Sequence, residues 1–186
     1  MKSTQVSVRY ARSLFEFAVE QQSLEAVYKD VLLLNNVCRE SKDFRLLLKS
    51  PIIQTKKKEK IITGLFSKEI SELTLSFMIL LVRRRREPFI PEIAAEFVEQ
   101  YQDYMNILPV TFKSAAPLTE ESRKRIIEIM TNYSRATVDI SGTVDPELIG
   151  GFVLYWKDKQ YDASVSHQIE RLKRSIAKVN LYIKEF

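Results

Sequence analysis

From Met1 to Ser141 the chain carries one glycine, Gly64, and through most of that span apolar residues recur with helical spacing. A segment without glycine or regular alternation has few routes to tight turns and strands, so its first hundred residues must be built from helices joined by short connections. The clearest helix holds Leu24, Val27, Tyr28, Val31, Leu32, Leu34, Val37 and Cys38, one stripe at i, i+3, i+4, i+7. The segment before it, roughly 4 to 21, places Val8, Ala11, Leu14, Phe15 and Ala18 on one side with Val6, Tyr10 and Phe17 flanking them. That apolar arc is wider than one core needs. A short helix around Phe44 to Leu48 must stop at Ser50-Pro51, because proline biases the residue before it away from helical angles. Helices follow at about 55 to 66, 71 to 84, and Pro91 to about Asn106, with Pro91 suited to a first turn. The pattern is that of a compact antiparallel bundle.

After Leu108 the period changes. Pro109 to Lys113 alternates apolar and polar residues as a half-buried strand does, and Thr119-Glu-Glu opens a helix running to about Tyr133 with Thr119 as its N-cap. Strands are expected at Ala136 to Ile140, Phe152 to Trp156 and Gln160 to Asp162, the last two across a turn at Lys157-Asp158. Helical spacing returns over 164 to 178 through Val165, Ile169, Leu172 and Ile176. The fold expected is therefore mainly α: an N-terminal six-helix bundle over 1–105 and a small α+β C-terminal domain over 106–186. The seam, and with it the expected site of proteolysis, lies between Met105 and Pro117.

Composition narrows the function classes. The longest apolar run, Phe77 to Val82, is far short of the ~20 residues that span a bilayer. The N-terminus lacks an apolar stretch followed by small residues, so a mature cytoplasmic start is expected. Cys38 is the single cysteine, with no partner for a disulfide or a zinc site, and is expected as a small core residue. The net charge of +5 is mild and spread over both halves, with two basic runs, Lys56-Lys57-Lys58 with Lys60, and Arg83 to Arg86. The second run sits where positive charge favours a helix's negative end; an acidic partner surface is the sharper alternative, and nucleic acid is disfavoured because no aromatic residues are interleaved. Gly150-Gly151 is followed by no G-x-x-x-x-G-K pattern, so no nucleotide cradle is expected, and a bend before a strand explains the pair. His167, the only histidine, has no nucleophile or carboxylate at a spacing that would make it catalytic. No enzyme, no metal and no cofactor are expected. What composition alone leaves open is a protein-binding module or a basic, helical RNA-associated protein.

Three stretches decide between these. Val8-Arg9-Tyr10-Ala11-Arg12-Ser13-Leu14-Phe15, Phe44-Arg-Leu-Leu-Leu-Lys-Ser-Pro51-Ile52-Ile53 with Lys57 or Lys58 after it, and Val144-Asp145-Pro146-Glu147-Leu148-Ile149-Gly150-Gly151-Phe152-Val153 with Asp158-Lys159-x-Tyr161-Asp162-Ala163-Ser164-Val165 and Glu170-Arg171-Leu172 resemble, in this order and spacing, the ATP synthase delta family, relatives of the mitochondrial oligomycin sensitivity-conferring protein. The resemblance departs at Tyr155 and Lys157, where the family has an arginine and a turn glycine, which predicts a less tightly turned hairpin tip. It departs also at Ser166, His167 and Ile169.

The resemblance implies a non-catalytic peripheral-stalk (stator) subunit of a rotary proton-translocating ATP synthase, held peripherally at the cytoplasmic face of the bacterial plasma (inner) membrane and touching the membrane only through the complex. Its N-terminal bundle would receive the N-terminal helix of an alpha subunit of the catalytic head in a groove between the first and fifth helices, which suits the wide apolar arc on the first. Candidate contacts are Tyr10, Ser13, Leu14, Phe17, Phe77, Leu81 and Arg84. Glutamates at Leu14 and Leu81 together are expected to block the groove and leave the bundle folded. The C-terminal domain would engage the ends of b-type stalk subunits, with Gly150, Gly151, Asp162, Ser164 and Arg171 as the stalk-side motif. No nucleic acid is implied.

Overall fold

A computed structural model describes residues 4–115, 117, 119–145 and 148–182; Pro146 and Glu147 of the third motif lie outside the described residues. The chain forms two compact units, Met1–Tyr104 and Met105–Phe186. The first is all helix: α1 (Gln5–Glu20), α2 (Leu24–Glu40), α3 (Lys42–Lys49), α4 (Thr55–Phe66), α5 (Glu72–Arg83) and α6 (Ile90–Tyr104), with a 3-10 turn at Glu87–Phe89. Hydroxyl N-caps set several starts. Thr4 accepts from the Ser7 N–H in a capping box, Ser41 from Phe44 and Ser71 from Thr74. At Ser50 the chain turns extended (ψ 120°) before Pro51 and ends α3.

Small residues on α1 let it lie close to α6. Ser7, Ala11 and Ala18 are fully buried there, with Leu14 beside them, and the Ser7 and Thr4 hydroxyls donate to Glu92 Oε2 of α6 at 3.2 and 3.1 Å. The core continues through Val27, Val31, Leu34 and Cys38 of α2, Met78, Leu81 and Val82 of α5 and Phe97 of α6. Burial pushes the Cys38 thiol up to about 11, against a small opposing pull from Arg45, so it stays protonated at neutral pH.

Two buried carboxylates brace this unit. Asp30 of α2 accepts from the Ser71 N–H (2.9 Å), the Ser71 hydroxyl (2.5 Å) and the Thr74 hydroxyl (2.7 Å), and so caps the N-terminus of α5 from another helix. Glu87 accepts from Lys58 Nζ at 2.6 Å, and the same ammonium donates to the Leu48 carbonyl at 3.1 Å. Lys58 is 2% exposed, so one member of the first basic run is an internal strut, not surface charge. The second run closes α5: Arg85 takes φ +55°, its N–H donates to the Val82 carbonyl, and that of Arg86 donates to the Leu81 carbonyl, the reciprocal pair of a Schellman end.

In the second unit, β1 (Ile107–Ser114), α7 (Glu120–Ser134), β2 (Thr137–Val144), β3 (Phe152–Trp156), β4 (Lys159–Asp162) and α8 (Val165–Tyr182) follow in order. The sheet order is β2-β1-β3-β4, with β1 parallel to β2 and antiparallel to β3, and β3 antiparallel to β4. Because β1 and β2 are parallel, a crossover must join them, and α7 supplies it. Leu108, Val110 and Phe112 of β1 point inward with Ile126 and Met130 of α7, Ile140 of β2 and Leu154 of β3.

One expectation narrows and another changes. The two units part at Tyr104 and Met105, one residue from the expected division at 105 and 106, and most of the interval from Met105 to Pro117 is β1, the strand with neighbours on both sides. The β3–β4 tip is tight rather than loose. Trp156 pairs with Lys159 across two residues, and Lys157 takes the left-handed conformation (φ +47°) that glycine would otherwise supply.

Candidate functional site

Five α1 residues at helical spacing, Tyr10, Ser13, Leu14, Phe17 and Gln21, face Leu73, Ser76, Phe77 and Leu80 of α5 across an open groove of about 890 Å³, with Glu72 at one end. Its walls are apolar and partly uncovered. Phe17 is 49% and Leu80 44% exposed, while Tyr10 and Phe77 meet edge to face at 6.5 Å and 67°. Leu14 forms the floor at 3% exposure. The Ser13 hydroxyl already donates to the Arg9 carbonyl at 2.9 Å, so the groove makes little polar demand on an occupant. It is an apolar trough lined by two helices with Glu72 as its one charged lining residue, a surface of the kind that helix-in-groove recognition uses.

Of the seven candidate contacts, the structure gathers Tyr10, Ser13, Leu14, Phe17 and Phe77 along this groove. Leu81 is not among the lining residues. It is 1% exposed and packs inward beside Met78 and Val82, because α5 divides into two rows: 73, 76, 77 and 80 toward the groove, 74, 78, 81 and 82 toward the core. Leu80, Leu73 and Ser76 take the place assigned to it. A glutamate at Leu81 would therefore enter the core, and the paired Leu14 and Leu81 substitution tests folding, not binding. Arg84 caps the C-terminus of α5, exposed and outside the lining. The uninterrupted apolar run over α5 hides which residue of each turn faces inward, and only its packing within the bundle, against α2, α4 and α6, settles it.

In the second unit, Gly150, Gly151, Asp162 and Ser164 meet at the start of α8. Gly151 has φ +81°, and a Cβ there would collide with the Ala163 carbonyl oxygen and crowd Ser164 Cα at 2.9 Å. The Val165 N–H donates to the Gly150 carbonyl (3.0 Å), the Ser164 hydroxyl accepts from the His167 N–H (3.2 Å), and Asp162 accepts from the Ser164 N–H (2.9 Å). The Ser164 hydroxyl and then its N–H hold the Asp162 carboxyl below the usual aspartate range. These four residues lock the angle at which α8 leaves the sheet. Arg171 lies two turns along α8, exposed and apart from them. Val165 (37%), Ile169 (43%), Leu172 (62%) and Ile176 (55%) form an apolar row on α8 that is exposed, not core. Sequence spacing finds that row but not which way it faces.

Among the described residues no group of three histidine, cysteine, aspartate or glutamate side chains is placed to hold a metal ion, and no helix is long and apolar enough to cross a membrane.

The family model described as ATP synthase delta (OSCP) subunit matches residues 6–176. ATP synthase subunit delta of Cytophaga hutchinsonii is 34% identical over 173 residues, 93% of this chain and 94% of that protein. The Carboxydothermus hydrogenoformans subunit delta is 34% identical over 176 residues, 95% and 99% of the two chains. A chain from the cryo-EM structure of the Toxoplasma gondii mitochondrial ATP synthase hexamer shares the fold at a TM-score of 0.72, covering 94% of this chain and 98% of that one at 21% identity. The chain belongs to the ATP synthase delta (OSCP) subunit family, whose members are structural subunits of the synthase and not enzymes in themselves.

Proposed function

We propose that this subunit is the stator connector at the top of the peripheral stalk, linking the catalytic head of a rotary proton-translocating ATP synthase to its membrane-anchored b-type stalk. The observation that carries this reading is the uncovered apolar groove between α1 and α5, where Phe17 and Leu80 are each more than two-fifths exposed. Its occupant is the amphipathic N-terminal helix of an alpha subunit, laid in with its apolar face down. The second unit binds the C-terminal ends of the b-type subunits through the α8 row of Val165, Ile169, Leu172 and Ile176, whose angle the Gly150, Gly151, Asp162 and Ser164 cluster fixes, with Arg171 on the same helix. Residence at the cytoplasmic face of a bacterial plasma membrane follows from the complex. A stator resists torque, and that asks for static, well-buried contacts rather than chemistry. The RNA-associated alternative loses ground because Lys58 is internal and Arg83 pairs with Glu59 at 3.2 Å.

Membrane vesicles assembled with the Phe17→Glu and Leu80→Glu double variant test the reading. They should shed the catalytic head under washing that leaves it on wild-type vesicles. Full retention by a folded double variant would reject the groove as the head's attachment point.

A further inference from the structure

Past its first turn α8 buries no described side chain against its own sheet: from Gln168 to Ile176 every residue is exposed, apolar and polar alike. Its apolar residues nonetheless keep a strict spacing. Val165, Ile169, Leu172 and Ile176 advance by four, three and four, and the sequence repeats the three and the four at Val179 and Ile183. Alternating steps of three and four give the 3.5-residue period that holds one seam of a helix against the seam of another. At about 100° per residue the four exposed members span an arc of about 60°, whereas a helix packed on a core carries an apolar stripe of ~100° or more. The positions flanking the seam, Ser166, Gln168, Lys173 and Ser175, are all polar. A bundle or a sheet would bury those flanks, so the row fits one partner helix and no broader surface.

The flanks also restrict which helix. Lys173 is their one charge. The only carboxylate on α8, Glu170, lies off the seam and pairs with Arg174 at 3.0 Å. A second copy of this chain would therefore bring no carboxylate to Lys173, and would set a helix bearing Arg171, Lys173, Arg174 and Lys178 against another of the same sign. We infer that α8 is one strand of a heterotypic two-stranded coiled coil whose other strand is an acidic helix with its own repeat of three and four. Ile169, Leu172 and Ile176 are the knobs that seat in that helix, and a glutamate or aspartate of the partner lies beside Lys173. Arg171 is outside the seam and takes no part in it. That the helix belongs to a b-type stalk subunit rests on the function proposed above; its chemistry does not.

Calorimetric titration of the full chain with two peptides of about three heptads reads this directly. Both carry isoleucine and leucine in the seam; one has glutamate on its flanks, which keeps it from pairing with itself, and the other has lysine. The glutamate peptide should bind one to one and gain helicity, and the lysine peptide should bind at least about tenfold more weakly. Ile169→Ser with Leu172→Ser should weaken the glutamate peptide by about tenfold or more and leave the melting transition in place, because both side chains are exposed. Arg171→Ser should keep its affinity within about twofold. No saturable uptake of the glutamate peptide, equal binding of the two peptides, or wild-type affinity in the folded double variant overturns the inference. So does a dimer of the free chain, seen by sedimentation, that the double variant abolishes. The soluble domain of the b-type subunit, titrated in the same way, separates the coil from the stalk reading: it should bind the wild type and not the double variant. If it binds both alike, the coil on α8 falls and the stalk role stands. If the glutamate peptide takes the seam and the soluble domain does not bind, the coil stands and the stalk role falls.

Discussion

Gly151 shows how much of unit two depends on one missing Cβ. Its φ of +81° and the Ala163 backbone against it leave no room for a side chain, so Gly151→Ala should destabilise by well over ~1 kcal/mol, read as a lowered denaturation midpoint with unchanged slope. Beside it, Asp162 titrates below its unfolded value near 3.8, so its contribution to stability is complete above that pH and lost as pH falls through the lower folded value. Ser164→Ala removes the largest cause of that depression, together with the α8 cap. It should move the Asp162 carboxyl midpoint, followed by NMR, up toward 3.8 and flatten the acid limb of the stability profile. The glycine pair was legible in the sequence as a bend, but the reason for it was not, since the colliding carbonyl belongs to a residue a hairpin away. The same holds for Lys58 and Asp30. Nothing local marks Lys58 among its lysine neighbours as the buried one, because Glu87, which holds it, is reached only through the fold.

At the scale of the element, α5 carries two functions on one apolar helix. Met78, Leu81 and Val82 hold the bundle together, while Leu73, Phe77 and Leu80 wall the groove. Adjacent positions should therefore respond differently. Leu81→Glu puts an unpaired carboxylate into the core, a penalty of several kcal/mol, and should abolish the cooperative thermal transition. Leu80→Glu leaves its carboxylate in water and should keep the transition within a few degrees. Circular dichroism of the two single variants distinguishes them, and equal melting of both would mean that the two rows are misassigned. Helix starts were readable to within about two residues, because caps, prolines and apolar spacing are local signals: Ser50-Pro51 stops α3, and Thr119 starts α7 by accepting from the Ser122 N–H, whereas α8 continues to Tyr182, past the expected 178. The facing of α5 and α8 was not readable, since an uninterrupted apolar run, or a row with no partner in its own chain, has the same spacing whether it points in or out.

For the whole molecule, the two compact units make a prediction about fragments. Residues 1–104 form one compact unit of helices with its own set of buried apolar residues, so that fragment should fold alone with a cooperative transition and near-native helicity. A noncooperative or largely unfolded fragment would show that the bundle depends on the sheet unit. The change from helical to alternating spacing after Leu108 marked the two halves in the sequence. The division it gave, at 105 and 106, lies one residue from where the two compact units part, just ahead of the strand that begins at Ile107. The central claim, that the α1–α5 groove holds a helix of the alpha subunit, is reached most directly by calorimetric titration of the full chain with a peptide from the alpha-subunit N-terminus. Wild type should bind one peptide with a negative heat-capacity change from apolar burial, and the Phe17→Glu, Leu80→Glu double variant should fold normally and bind at least about a hundredfold more weakly. Wild-type affinity in that folded variant would contradict the account.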